Sequence, residues 1–342
     1  MIKTINISEF FPLTNSIPVI DVRSPGEFDL GHIPEAVNIP LFSNDERAIV
    51  GTNYKKEGKD NAVIRGLEIV GPKLASFVKE ARKISPKKKI LVHCWRGGMR
   101  SQSMAWLLNT AGFEVSVLEG GYKAYRTFIR TQFEKAEEII ILGGYTGSGK
   151  TDVLKEIEKN NQQFLDLEGI ANHKGSAFGA IGQGAQPSNE HFENELAKIW
   201  RKFDLSKPIW IEDESRQLGR CTIPDTLFEK MRDCKLVKII IPKAVREKRL
   251  VKEYGLFDKA FLEKSVKNIE RRLGGLRTQQ SLEALENGDM NKVAEITLEY
   301  YDKAYLHGNS QRSPEKVYEI EIEDDNPSVT AKTVLKFVEQ LP

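Results

Sequence analysis

Short aliphatic runs alternate along the chain with stretches of helical spacing. Lys89-Ile90-Leu91-Val92-His93 and Ile139-Ile140-Ile141-Leu142 read as buried strands, and each leads through a glycine-containing turn into a helical pattern, over residues 101–108 and 152–157. Residues 209–211 and 237–241 read as further strands, 190–203 as a helix and 244–305 as mostly helical. Residues 126–138 form a charged helical connector in this reading, and the polar, glycine-rich stretch 169–189 reads as a loop whose length marks it as functional. Strands alternating with helices predict an α/β fold with parallel sheets and ligands at the strand C-termini. The expected division is a domain over 1–130 and a second over 131–342. The latter is made of an α/β core (138–245), a basic helical region (246–310) and an acidic C-terminal segment (311–342).

The turn after the Ile139 strand is Gly144-Tyr145-Thr146-Gly147-Ser148-Gly149-Lys150-Thr151, which fits G-x-x-x-x-G-K-[ST] in the strand-to-helix context that the motif requires. A chance match in a chain of this length arises roughly one time in a hundred. In such a loop the backbone from Gly144 through Thr146, Gly147, Ser148 and Gly149 turns amides toward phosphate oxygens. The helix N-terminus adds partial positive charge, and Lys150 reaches the distal phosphate. Thr151 is a candidate magnesium ligand. No N-K-x-D element for guanine is present; the run Pro208-Ile209-Trp210-Ile211-Glu212-Asp213-Glu214-Ser215 ends in carboxylates as a metal-supporting strand would. Asp213, or Glu212 beside it, is the expected metal support, the alternative being a strand capped in solvent.

The turn after the Lys89 strand is Cys94-Trp95-Arg96-Gly97-Gly98-Met99-Arg100-Ser101. Cys94 stands at a strand end facing a helix N-terminus. Amides made accessible by Gly97 and Gly98, the helix dipole and Arg100 all favour thiolate over thiol, and the same features, with Trp95 and Arg96, make a pocket for a tetrahedral oxyanion. Cys94 and Arg100 are therefore the candidate catalytic pair. His173 and Lys174, in the 169–189 loop, are candidate substrate contacts.

Upstream, Asp21-Val22-Arg23 followed by Glu27-Phe28 and Gly31-His32-Ile33-Pro34, with Asn38-Ile39-Pro40, resembles the rhodanese domain over residues 1 to about 130. One departure is that Arg100 follows Cys94 by six residues instead of five, a spacing shared with cysteine phosphatases and wide enough for a phosphate-like group. A rhodanese-like domain followed by a P-loop NTPase-like domain with a helical C-terminal part resembles the tRNA 2-selenouridine synthase family. Residues 166–176 and 214–219 look like further signatures of it, which brings in Arg216. The resemblance implies replacement of sulfur by selenium at C2 of wobble 2-thiouridine in tRNA. It implies selenophosphate and geranyl diphosphate as substrates and an S-geranyl intermediate. No tightly bound cofactor is expected, with Mg2+ a candidate at the phosphate loop. Alkylation turns a poor thiocarbonyl leaving group into one that departs as a thiolate. The other readings are a cysteine phosphatase or sulfurtransferase fused to a kinase-like domain, and a non-catalytic RNA-binding switch.

Composition changes the picture in two places. The net charge of the 342 residues is only +2, but residues 235–278 hold 13 Lys and Arg against 5 Asp and Glu, whereas 279–342 hold 6 against 13. Arg246 and Arg249 recur at helical spacing, and Arg271, Arg272 and Arg277 form a second cluster. This stripe either tracks tRNA phosphates, covers the diphosphate, or is a solvated face. Tyr300, Tyr301 and Tyr305 are either stacking platforms for a base or, as is commoner at such spacing, core residues. The three cysteines, Cys94, Cys221 and Cys234, make no disulfide framework, and no segment has the roughly 18 apolar residues of a membrane span. No secretory pattern opens the chain, so the expected location is cytoplasmic, without a membrane partner.

Overall fold

The structure, a computed structural model, describes residues 2–310, 312–323 and 325–341. It divides into two compact units, the first comprising residues up to Gln132 together with Glu193–Lys198, the second Phe133–Phe192 and the chain from Ile199 onward. The strands are, in chain order, β1 (Ile2–Ile5), β2 (Val19–Asp21), β3 (Val37–Asn38), β4 (Lys89–His93), β5 (Glu114–Leu118), β6 (Ile139–Gly144), β7 (Gln163–Leu165), β8 (Ile209–Glu212), β9 (Gln217–Leu218), β10 (Cys221–Thr222), β11 (Lys235–Ile240) and β12 (Val317–Glu321).

The first unit is built on the sheet β1-β5-β4-β2-β3, parallel throughout. In β4, Ile90, Leu91 and Val92 are all buried, as expected of a central parallel strand covered on both faces. Its core joins Ile20, Val22 and Val92 to Phe77, Met104, Leu108 and Phe113. Between β3 and β4 the chain inserts two helices, Asn44–Glu57 and Lys59–Val70, the first opened by a capping box of Ser43 and Glu46. Their patterning is weak because few of their side chains are buried, so hydrophobic periodicity gave no sign of them.

The second unit carries the sheet β12-β11-β6-β8-β7, again parallel throughout, with β9 and β10 as a separate antiparallel pair. One core packs Ile140, Leu142 and Val237 against Val153, Leu154, Ala331 and Val334. Another lies among the later helices, around Leu262, Val266, Leu285, Val293 and Ile296. The α/β reading holds in both units.

Three local expectations change. The connector is helical only as the end of the Gly121–Arg130 helix; a short 3-10 turn at Phe133–Lys135 precedes β6. The 169–189 loop begins inside a helix, Leu167–Ala171, capped by Asp166 accepting from the Gly169 amide at 2.8 Å. The acidic C-terminal segment, for which no element was expected, supplies β12 and the Pro327–Val338 helix, whose Ala331 and Val334 enter the core.

Candidate functional site

At the end of β4, Cys94 is buried, its Sγ 3.3 Å from the Ser101 hydroxyl, which lies 3.0 Å from the Gly98 carbonyl. A hydroxyl has one proton. With that proton on Gly98 oxygen, Ser101 accepts from the thiol; rotated, it donates to a thiolate. The Tyr122 amide donates to the Cys94 carbonyl at 2.8 Å and the Lys123 amide to the Trp95 carbonyl at 3.1 Å. A Cβ at Gly121 (φ 61°) would lie 2.4 Å from the Cys94 carbonyl oxygen and 2.5 Å from the Gly97 nitrogen, so only glycine lets this helix start back the loop. The amides of Trp95, Arg96, Gly97 and Gly98 donate to no protein acceptor among the described residues. Consecutive unclaimed amides beside a helix start are the elements of an anion cradle.

The arginines around this loop divide their work. Arg100 donates to Glu27 at 2.7 Å, and Arg47 pairs with the same carboxylate at 3.0 Å. Burial alone would raise the pKa of Glu27, but the Arg100 guanidinium reverses this and holds the carboxyl below its usual range. Arg96 is exposed and has no ion-pair partner among the described residues. Beneath the loop, Arg23 and Asp21 form a fully buried pair at 2.6 Å, with the guanidinium 3.8 Å from the Tyr122 ring centroid and 5.9 Å from that of Trp95. Burial would raise the pKa of Asp21, yet His93 and Arg23 together hold it low; burial in turn depresses that of His93.

In the second unit, β6 runs through the glycine loop into the Lys150–Lys159 helix. Gly147 and Gly149 take φ of 80° and 71°, and a Cβ at Gly149 would lie 2.5 Å from Arg249 Cζ, so this guanidinium rests on the loop backbone. The Gly144 amide donates to the Tyr305 hydroxyl at 2.9 Å. Lys150 Nζ is 3.3 Å from Glu212, and the Thr151 hydroxyl is 2.7 Å from Glu212 and 3.1 Å from Glu168.

One oxygen from each of Glu168, Glu212 and Glu214 falls within 4.8 Å of the others. Burial, then the charge of Glu212, pushes Glu168 up to about 8; burial and the same neighbours push Glu214 well above the usual range. Burial would lower the pKa of Lys150, but these carboxylates raise it. Crowded carboxylates that resist ionising, beside a threonine hydroxyl, suit a hard cation with oxygen ligands, so the donor set fits Mg2+. The surrounding cleft has a volume of about 410 Å3.

Of the residues singled out in the sequence, Gly144, Thr146, Gly147, Gly149, Lys150, Thr151, Lys174, Asp213 and Arg249 line this one cleft, and Ser148 is buried in the loop. Asp213 needs correction as a magnesium ligand: its carboxylate is held by Arg312 at 2.8 Å and faces Arg232 at 3.6 Å, and Glu212 takes the place beside Thr151. Alternation along β8 turns successive side chains to opposite faces, which decides between the two. Lys174 pairs with Glu253, and Arg249 with Asp152 and Asp325.

Of the other candidates, Tyr301 and Tyr305 also line the cleft, and the rest stand outside its lining. His173 is packed against Gly179 and Gly219, with its pKa lowered by burial. Arg216 pairs with Asp225; buried Arg246 grips Asp302 at 2.8 Å and the Thr146 carbonyl at 3.1 Å, a brace for the loop. Arg277 pairs with Glu299 at 2.9 Å, Arg272 bonds Tyr300, and Arg271 is exposed. Tyr301 accepts from the Ala177 amide at 3.1 Å and Tyr305 serves Gly144, so these two are structural in the free protein. Sequence reasoning missed Ser101, Glu27 and Glu168 as site residues. Each depends on a tertiary approach, although the spacing of Ser101 seven positions after Cys94 was visible.

A parallel α/β unit with a cysteine loop, followed by one with a phosphate loop and a carboxylate cluster, defines a rhodanese-like domain joined to a P-loop domain. Family models match accordingly, a rhodanese-like domain over residues 12–127 and a tRNA 2-selenouridine synthase AAA domain over 137–333. The tRNA 2-selenouridine synthase of Nitrosomonas europaea is 33% identical, covering 86% of this chain and 89% of its own. That of Pseudomonas syringae pv. syringae is 34% identical, covering 93% and 94%. The solved N-terminal domain of a Clostridium difficile 630 protein is 41% identical over 37% of this chain and 98% of that domain, with a TM-score of 0.36. The chain belongs to the tRNA 2-selenouridine synthase family and is an enzyme of the transferase class.

Proposed function

We propose that the chain replaces sulfur by selenium at C2 of wobble 2-thiouridine in tRNA, in two steps divided between its two loops. In the first, the thiocarbonyl sulfur attacks C1 of geranyl diphosphate, the C–O bond breaks, and diphosphate leaves within the Gly144 to Thr151 loop. In the second, the selenium of selenophosphate attacks C2 and the C–S bond breaks with departure of geranylthiolate. Hydrolysis of the P–Se bond then releases phosphate. Family membership supports the overall exchange. The observation that carries the division is the presence of two separate anion sites, one with a thiol and four unclaimed amides, the other with Lys150 in a cleft of about 410 Å3.

In the first step Lys150 neutralises charge on the leaving diphosphate, and Arg249, resting on Gly149, covers it. Thr151, Glu212 and Glu168 would hold Mg2+, which supplies further charge neutralisation of the diphosphate when bound. In the second, the amides of 95–98 and the unpartnered Arg96 bind the tetrahedral phosphate end of selenophosphate, while Ser101 adjusts to the charge on Cys94.

Mass spectrometry of wobble nucleosides, after incubating thiolated tRNA with geranyl diphosphate and selenophosphate, tests the reading. Lys150→Ala should lower S-geranylation at least about a hundredfold. Cys94→Ala should let the S-geranyl nucleoside accumulate without selenouridine. Normal selenouridine formation by Cys94→Ala would remove the division of labour; thiolated anticodons left unchanged by the intact enzyme would remove the whole reading.

A further inference from the structure

The helix that leaves the cysteine loop, Met99–Thr110, has an outer face unlike an ordinary solvated surface. Ser101, Met104, Ala105 and Leu108 turn inward. Helical spacing puts Met99, Ser103, Trp106 and Thr110 on the opposite stripe, all exposed and none charged. Met99 is 57% and Trp106 62% exposed, so a large indole is presented to water where packing asks nothing of it. The stripe starts beside the Cys94 loop and runs about 16 Å along the helix axis.

Its far end meets a concentration of positive charge. Residues 79–89 hold six Lys and Arg against the single carboxylate of Glu80. Lys89 stands opposite Glu114 where β4 pairs with β5, and Lys88 Nζ is 3.5 Å from the place of a Cβ on Gly112, two residues beyond the helix. Arg82, Lys83, Lys87 and Lys88 are exposed and have no ion-pair partner among the described residues. Arg82 and Lys83 close the Leu74–Ile84 helix, where cations suit the helix dipole; Lys87 and Lys88 lie past its end and answer no such demand.

An uncharged strip with an exposed indole, leading from the reactive loop to unclaimed cations, suits a polyanion whose flat groups are unpaired. Single-stranded RNA is such a ligand, because its bases stack on aromatic rings while its phosphates meet lysine and arginine. One exposed ring with a methionine offers too little apolar area for a stable protein contact, but enough for a base. We infer that this face of the first unit is a track for the anticodon loop. Trp106 stacks on an unpaired base near the wobble nucleotide, and Arg82, Lys83, Lys87 and Lys88 hold phosphates of the strand as it runs away from the Cys94 loop. This rests on the exchange proposed above for wobble 2-thiouridine and names the surface that brings that base to the thiol. The track is independent of the Arg271, Arg272 and Arg277 cluster, which belongs to the second unit.

Filter binding of thiolated tRNA to the full chain, from about 50 to about 200 mM salt, tests this. Trp106→Ala, at an exposed helical position that alanine suits, should weaken binding about tenfold without altering the salt slope, and Trp106→Phe should restore most of the loss. Lys87→Glu combined with Lys88→Glu should weaken binding and reduce the salt slope by about two counterions. Both changes should raise the KM for tRNA severalfold and leave kcat nearly unchanged, a split that damage to the Cys94 loop would not give. Unchanged tRNA affinity in either variant overturns the track. So does a dimer, seen by sedimentation, that Trp106→Ala dissociates while tRNA binding stays intact, since the face then joins two copies of the chain. Selenouridine formation, followed alongside, separates the two ideas. Trp106-dependent tRNA binding by an intact enzyme that makes no selenouridine defeats the proposed reaction and leaves the track standing; normal selenouridine formation by both variants at limiting tRNA defeats the track alone.

Discussion

Around the cysteine loop the carboxylates face guanidiniums, Asp21 with Arg23 and Glu27 with Arg100 and Arg47, whereas at the phosphate loop Glu168, Glu212 and Glu214 gather near Lys150. The pKa directions record the difference: Asp21 and Glu27 are held low, Glu168 and Glu214 are pushed high. Charge is balanced inside the fold at the first site, which is consequently set before substrate arrives. At the second the imbalance is left for a cation or protons to settle. A loop that needs only a fixed amide cradle and a thiol can be finished in advance; one that must hold and then release a diphosphate gains from a charge that is completed by what it binds.

Breaking the balanced pair should have the largest effect. Arg23→Ala leaves Asp21 buried without its partner, and denaturant unfolding should show a loss of about 3–5 kcal/mol. The unbalanced site should announce itself in pH. The Glu168 carboxyl loses its proton near 4.5 when unfolded but only near about 8 when folded. Between those values folding takes up a proton, so stability falls as pH rises through the window, by up to about 1.4 kcal/mol per pH unit. Unfolding curves across pH 5–8 should show that slope, and both saturating Mg2+ and Glu168→Gln should flatten it. A slope unchanged by either would mean that another group governs it.

Smaller effects sharpen the contrast. Glu27→Gln releases Arg100 from a half-buried pair, and should cost about 1 kcal/mol and slow selenouridine formation severalfold while leaving S-geranylation intact. Smallest in stability is the double variant Arg271→Glu and Arg272→Glu on an exposed face, with a change within about 0.5 kcal/mol. If this face tracks tRNA phosphates, the same variant should reduce the salt dependence of tRNA binding by about two counterions. Unchanged salt dependence would make it a solvated face.

Much of the fold was legible because it rests on local signals. The strands before both loops are continuous aliphatic runs, and the loops follow them in motifs whose glycines are required by backbone geometry, as Gly147 and Gly149 show with their positive φ. The Asn44–Glu57 and Lys59–Val70 helices were not legible, since side chains left mostly in solvent carry little periodicity. Within the sites, Cys94, Lys150 and Thr151 could be named from spacing. The partners that set their chemistry could not, because Ser101 reaches Cys94 across a turn and Glu168 meets Thr151 from a different element. The choice between Glu212 and Asp213 turned on the phase of β8, which adjacent carboxylates in a sequence do not disclose.

The position of β12 has a consequence for how the molecule is made. The strand bearing the phosphate loop sits mid-sheet, and β12, reached late in translation, lies outside β11 while the helix after it completes one face of the core. Until those residues leave the ribosome, β11 presents an open edge able to pair with another nascent chain. The first unit has no such debt to the C-terminus, so a ribosome stalled near residue 300 would carry a finished thiol loop and a phosphate loop still waiting for its sheet to close.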